Sequence, residues 1–295
     1  MVAVFYLNGG IMFNILRSGM LIIAMTLLLI LVGGAVGGRD GAMVFFFISM
    51  VFNLFSYLYS DKLVITMYRA KKADRERYSE LHSILEELSL RAELPKTPEL
   101  YIVPMDVPNA FATGRSPKKA VVAVTEGLLN SMRKDEIAAV IAHELGHIKN
   151  WDMLIQTIVA SMASAIMWLS FIARWGAILG GGGRGNRNNG GLLGILFVAI
   201  IAPLAATLVQ LSVSRSREYM ADDFSAKLMG SGEPLANALL TLHGQSRFHR
   251  NEEAITPATA HMFIFPSGIG RGMGKLFSTH PSLEDRLKNL KVSLP

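Results

Sequence analysis

The sequence predicts a mainly α membrane protein with a small β-sheet: four transmembrane helices plus a polar domain supplied by two separate segments. Three observations carry this. Of the 295 residues, 51% are hydrophobic and 18% charged, against about 25% charged in an ordinary soluble domain. Four apolar runs approach the roughly 20 residues that cross a bilayer core. Between and after them the pattern changes to amphipathic helices and short strands, over residues 61–153 and 214–295.

In chain order, residues 1–60 read as a first hairpin with spans at about 18–37 and 42–59. The first contains Leu21-Ile22-Ile23-Ala24-Met25-Thr26-Leu27-Leu28-Leu29-Ile30-Leu31-Val32, the second Phe45-Phe46-Phe47-Ile48, ending near Tyr57 and Tyr59. Tyrosines favour a membrane interface. A cleavable leader fits less well, because the run is long and a second follows after Gly38-Arg39-Asp40-Gly41. Residues 61–153 open with an amphipathic helix over 73–92, where Leu81, Ile84, Leu85 and Leu88 recur at helical spacing. Strands follow at Leu100–Val103, around Asn109–Gly114 and at Ala120–Val124. Thr125-Glu126 opens a short helix. Residues 154–213 form the second hairpin, with spans at about 154–176 and 192–213 around a Gly/Asn-rich loop at 180–191. Residues 214–295 return to polar character: helices over 216–229 and 234–242, a Gly/Pro/Thr-rich stretch at 250–274, and a final helix opened by Pro281-Ser282.

The chemistry concentrates in His143-Glu144-Leu145-Gly146-His147. Residues four apart share a helix face, so His143 and His147 can aim two imidazoles at one metal ion. Glu144 lies about 100° round the axis, placed to work as a base without being a ligand. This is the H-E-x-x-H pattern of zinc hydrolases. Asp135 is the expected cap of this helix, which then runs almost unbroken into the third span. An open catalytic zinc site takes three protein ligands. An extension with Gly and His at 150 and 153 is absent, since Asn150 and Met153 stand there, and no acid occurs in the third span. After Asp152 the next acid is Glu218, just beyond the fourth span. Pairing of spans three and four brings Glu218 to the height of His147, making it the third ligand of one Zn2+ per chain. Asp222, one turn on, can accept a hydrogen bond from a ligand histidine. Its neighbour Asp223 competes for that role.

Charge excludes one class of function. Residues 61–153 hold 14 basic and 14 acidic side chains, and residues 215–295 hold 10 and 8. The remaining +4 of the net charge of +6 comes from Arg17, Arg39, Arg174, Arg184 and Arg187 against Asp40, all flanking apolar runs. That is not a nucleic-acid surface. The chain has no Cys, hence no disulfides and no thiolate metal site.

With these motifs in place, the sequence resembles the membrane-bound zinc endopeptidases of the HtpX heat-shock type, relatives of the C-a-a-X prenyl endopeptidases. The likeness rests on Ala142–His147, Asp152, Ser216–Asp222, Asn109–Ala112 and Thr279-His280-Pro281-Ser282. It implies a zincin-like metalloprotease domain on the cytosolic face of the cell inner membrane. The implied partners are the bilayer and misfolded, damaged or unfolded membrane-protein substrates, in quality control and stress response. It implies a substrate-binding strand edge at Asn109, Ala110 and Phe111. Asp222, His280 and Arg286 would back the ligands or steady the transition state. Prenyl-peptide processing and a non-catalytic scaffold with structural zinc are the alternatives. An intramembrane protease is disfavoured, because Lys149, Asn150 and Asp152 put the motif near water.

Overall fold

The computed structural model describes residues 2–156, 214–246, 264 and 281–291. The expected second hairpin beyond Gln156, the 180–191 loop and His280 lie outside the described residues. The described part is mainly helical with one small mixed sheet.

Helix α1 runs from Val2 to Met67 and folds back on itself at Gly38, whose φ of +59° suits a residue without Cβ. Thr26 Oγ1 accepts a 2.9 Å hydrogen bond from Asn53 Nδ2, 27 residues on; a straight helix would hold them about 40 Å apart. Many apolar side chains on its arms face outward, among them Ile23, Leu31, Phe47 and Val51. Among the described residues no helix is long and apolar enough to cross a membrane, so the fold itself does not establish the four spans.

The sheet follows. Strand β1 (Lys71–Lys72) pairs antiparallel with β2 (Glu99–Val103). Strand β2 pairs parallel with β4 (Val121–Thr125), and β4 pairs antiparallel with β3 (Ala110–Thr113). The order is β1-β2-β4-β3, with β3 at the edge. Alternation along the strands builds two cores. Leu100, Ile102, Ala110, Ala112, Val122 and Val124 face α2 (Ser79–Arg91) and α4 (Lys134–Lys149). Val103, Phe111 and Ala123 face the other way, onto Val64 and Tyr68 at the end of α1. That end of α1 is therefore part of the sheet domain, although its sequence continues an apolar run.

Between β4 and α4 lies α3 (Glu126–Ser131), capped by the Thr125 hydroxyl, which accepts from Leu128 N–H. Helix α4 begins two residues before the sequence expectation. Arg133 is its N-cap, with the Glu136 carboxylate accepting from the Arg133 N–H at 2.9 Å. Asp135 lies in the first turn and ion-pairs with Arg133 at 3.3 Å. An arginine scores poorly as a cap by side chain; here Glu136 supplies the acceptor.

The other helices are α5 (Arg215–Met229), α6 (Glu233–Ser246) and α7 (Leu283–Asn289). Helix α5 crosses α4 at Gly146, where an added Cβ would stand 3.2 Å from the Ala221 Cα and from the Phe224 ring. Gly146 costs about 1 kcal/mol of helix propensity against Ala, and in return lets the two backbones approach. Helix α4 does not run unbroken into the next segment. It ends at Lys149, Trp151 takes a left-handed φ of +61°, and helical geometry resumes at 152–156.

Candidate metal centre

Helix α4 presents His143, Glu144 and His147 to α5, all buried although polar. The two imidazole rings stand perpendicular, centroids 4.8 Å apart. Across the close crossing at Gly146, Glu218 reaches both: its Oε2 is 3.7 Å from His143 Nε2 and its Oε1 is 3.5 Å from His147 Nε2. The three donors lie within 4.8 Å of one another. Ligands at about 2.1 Å from a tetrahedral ion stand roughly 3.4 Å apart, so these separations suit a bound metal.

Each Nε2 is aimed by what holds the opposite nitrogen. His143 Nδ1 lies 3.0 Å from Asp222 Oδ1, and His147 Nδ1 lies 3.2 Å from Asp152 Oδ2. A carboxylate on Nδ1 fixes the tautomer whose Nε2 lone pair is free for metal. Asp222 is itself gripped from α7: Arg286 donates from Nε to Oδ2 at 2.9 Å and from Nη2 to Oδ1 at 2.5 Å. Arg286 is only 1% exposed, and its Nη1 lies 3.9 Å from Glu218 Oε2. Arg217 Nη1 is 3.6 Å from Asp152 Oδ1.

Buried charge is costly unless balanced, so the tally matters. Four carboxylates (Glu144, Asp152, Glu218, Asp222) stand against two guanidiniums (Arg217, Arg286). Two negative charges remain with neutral imidazoles, the charge of one divalent cation. Protons show the same need: burial pulls the His147 pKa down, but the Asp152 hydrogen bond and the charges of Glu218, Asp152 and Glu144 lift it to about 9. Burial raises the Glu144 pKa, with His147 and His143 opposing. For Asp222 burial acts upward, yet the Arg286 charge and the His143 and Arg286 hydrogen bonds bring its pKa below the usual value.

Glu144 connects this cluster to the sheet. Its Oε2 accepts a 2.9 Å hydrogen bond from the Ala112 N–H. Thr125 N–H donates to the Asn109 carbonyl, so alternation turns the peptide groups of Ala110 and Ala112 toward the side of β3 away from β4. Oε1 is the oxygen left to handle a proton beside that strand.

The structure thus brings together His143, Glu144, His147, Glu218, Asp222 and Arg286 from the sequence reading. It selects Asp222 over Asp223, which accepts from Asn289 Nδ2 at 3.0 Å. Asn109, Ala110 and Phe111 lie along the edge strand but are buried. The Phe111 ring turns away onto Tyr68, centroids 5.5 Å apart, and Asn109 Oδ1 accepts from Ile264 N–H at 3.1 Å. Three features escaped the sequence reading: Asp152 as the partner of His147, Arg217 behind it, and the Ala112 N–H on Glu144. Only the acid–arginine alternation of Arg215–Asp222 hinted at the second.

Two imidazoles, a carboxylate and an adjacent buried glutamate on crossing helices beside a sheet edge define the class: a metal-dependent peptidase. The comparisons agree. A model of peptidase family M48 matches residues 75–293, and the chain belongs to that family. A protein named Protease HtpX homolog from Desulfatibacillum aliphaticivorans is 49% identical, over 96% of this chain and 90% of that one. The namesakes from Syntrophobacter fumaroxidans and Thermococcus kodakarensis are each 46% identical, over 93% and 94% of this chain and 98% and 94% of theirs. The crystal structure of S. mikatae Ste24p aligns at a TM-score of 0.48 with 20% identity, over 97% of this chain and 66% of that one.

Proposed function

We propose that the chain is a membrane-bound zinc endopeptidase that cleaves misfolded or damaged membrane proteins at the cytosolic face, with His143, His147 and Glu218 as zinc ligands and Glu144 as the catalytic base. The observation that carries it is the convergence of those three donors beside Glu144, which is tied to the edge strand β3 through the Ala112 N–H. Two nitrogens and one carboxylate oxygen, with no thiolate, form a donor set typical of open hydrolytic zinc sites. Zinc there supplies Lewis acidity, which acidifies water and polarises a carbonyl.

The chain's own residues do the rest. Glu144 takes the water proton at Oε1 and passes it to the leaving amine, while the Ala112 N–H holds Oε2 still. Ala110 and the Ala112 carbonyl offer edge groups for an extended substrate by strand addition. Asp152 and Asp222 keep the imidazoles aimed, and Arg286 keeps Asp222 ionised.

The membrane reading draws on composition and surface. Leu21 to Val32 hold one polar residue, Thr26, and the arms of α1 leave Leu31 70% and Val51 65% exposed. Water makes a poor surround for such a surface; a bilayer is a good one.

Replacing Glu144 by Gln tests the mechanism. We expect one zinc per chain to be kept while cleavage of an unfolded polypeptide falls roughly a thousandfold; undiminished cleavage sinks the assignment. The chain has no Cys, so a single Cys placed at exposed Glu233 reports the face. It should be labelled from the cytosolic side of sealed vesicles; labelling from the other side alone overturns the orientation.

A further inference from the structure

The outward apolar surface of α1 stops at a definite place. Leu54 and Leu58 are 59% and 41% exposed. Lys62 follows one turn after Leu58, about 6 Å along the axis, with its Nζ 5.6 Å from the Tyr59 ring centroid. Val64 and Tyr68 then bury against the sheet. Facing Lys62 are the starts of the parallel strands β2 and β4, set side by side by the pairing of Glu99 with Val121. Lys96 precedes β2, and Lys118 and Lys119 lie in the single helical turn Pro117–Lys119 before β4. Between them opens a cleft of about 340 Å³ whose walls include Lys62, Lys96, Lys118, Lys119, Tyr101 and Glu99.

The charge in this cleft is unbalanced. Glu99, its single acid, is paired with Lys72 at 3.3 Å. None of the four lysines lining it forms an ion pair with a described residue. Elsewhere on the domain exposed charges are interleaved, as in Lys134–Glu80 and Arg75–Glu86. Four lysines around one concavity, with a single acid already paired, make it a positive site that calls for an anion. Ammonium side chains bind phosphate as point charges, and a cleft of this size suits a small ligand. A long polyanion fits less well, because residues 61–153 as a whole carry equal numbers of acids and bases.

We propose that this cleft binds the phosphate of an anionic membrane lipid, with the acyl chains lying along the exposed Leu54 and Leu58. The assignment rests on the membrane reading above. Val121 lines the cleft and pairs with Thr113, next to Ala112, whose N–H holds Glu144. A lipid held there therefore sets the height of the edge strand and the metal centre above the bilayer.

The test uses the full chain in neutral detergent and in phosphatidylcholine nanodiscs doped with phosphatidylglycerol. Bound lipid is counted by native mass spectrometry. The wild type should enrich phosphatidylglycerol over phosphatidylcholine. Each juxtamembrane lysine contributes about fivefold, so the variant K96A/K118A/K119A should lose roughly a hundredfold in that preference. Arginines at the three positions should restore it, and cleavage in detergent should be unchanged in both variants, which controls for folding. An undiminished preference in the alanine variant overturns the proposal. Displacement of phosphatidylglycerol by equimolar inorganic phosphate also overturns it, by making this a site for free phosphate. Extraction of the chain from membranes by carbonate refutes the membrane reading itself. A carbonate-resistant chain without lysine-dependent lipid preference refutes only the lipid site.

Discussion

His143 and His147 sit one turn apart on α4 and aim at the same point, yet they are held by unlike means. Behind His143 stands Asp222 from α5, clamped by Arg286 from α7, which is 143 residues away in sequence from that histidine. Behind His147 stands Asp152, five residues on in the same stretch of chain. The first support closes only when the carboxy-terminal segment has docked. The second closes locally, at the break after α4. One metal centre is thus tied to the fold through a long-range bidentate ion pair on one side and, on the other, through a local turn with Arg217 of α5 behind it at 3.6 Å.

Breaking the long-range side should cost most. Asp222→Ala leaves the Arg286 guanidinium buried without its carboxylate, and loss of one partner of such a pair costs about 3–5 kcal/mol. We expect a large fall in the denaturation midpoint of the metal-loaded chain together with loss of activity. A midpoint unchanged from wild type would show that α7 is not clamped through this residue. Asp152→Asn is milder. It keeps shape and a hydrogen-bond acceptor while removing the charge, so metal affinity should fall about 10–100-fold, and the unfolding of loaded protein should shift less than in Asp222→Ala, because the Arg217 contact at 3.6 Å is longer and not bidentate. Equal damage from both substitutions would erase the distinction between the two supports.

Acid and alkali probe the same contrast in chelated protein. The His147 pKa is raised from 6.5 to about 9. Its contribution to stability is full below pH 6.5 and is lost as pH rises through about 9. The Asp222 pKa is lowered from 3.8, so its contribution is present above that value and is lost as pH falls through the lowered one. The unfolding midpoint of the metal-free chain should therefore drop between pH 6.5 and 9. Asp152→Asn should shrink that drop and leave the acid limb in place. With metal on Nε2, His147 stays neutral and has no second proton to lose, so the alkaline drop should vanish; its persistence would argue that His147 is not a ligand.

How much of this was legible follows from the same contrast. Spacing alone put His143, Glu144 and His147 on one face, because a helix has one period. Glu218 was reachable by elimination, since acids are scarce between Asp152 and residue 218. Strands β2 and β4 announced themselves through runs rich in β-branched residues and β3 as a short apolar stretch before Gly114, whereas β1 has two residues, too few for a pattern. The cap of α4 was misplaced because Glu136, rather than the capping side chain, supplies the acceptor. Asp152 was visible but not readable as a partner. On a continuous helix a residue five positions on lies about 140° from His147, on the wrong face. The helix break that re-aims it falls on a tryptophan, which sequence rules do not nominate for a left-handed conformation. Nor does any local pattern say that Arg286 will meet Asp222; that contact exists only through the packing of α7 on α5.

The break itself yields the smallest effect and the sharpest discrimination. A bulky residue at φ +61° carries strain on the order of 1 kcal/mol. Glycine adopts this conformation freely but loses a comparable amount, about 0.5–1 kcal/mol, to chain entropy. The two backbone terms thus nearly cancel in Trp151→Gly, which should leave metal affinity unchanged, because Asp152 keeps its position. Trp151→Pro cannot take a positive φ, so it should turn Asp152 away and lower metal affinity as far as Asp152→Asn does. The two variants change the same side chain and differ in backbone freedom, and metal titration of each reads that difference directly. If glycine and proline prove equally harmless, Asp152 is not placed by the turn, and the local support of His147 is no different in kind from the distant support of His143.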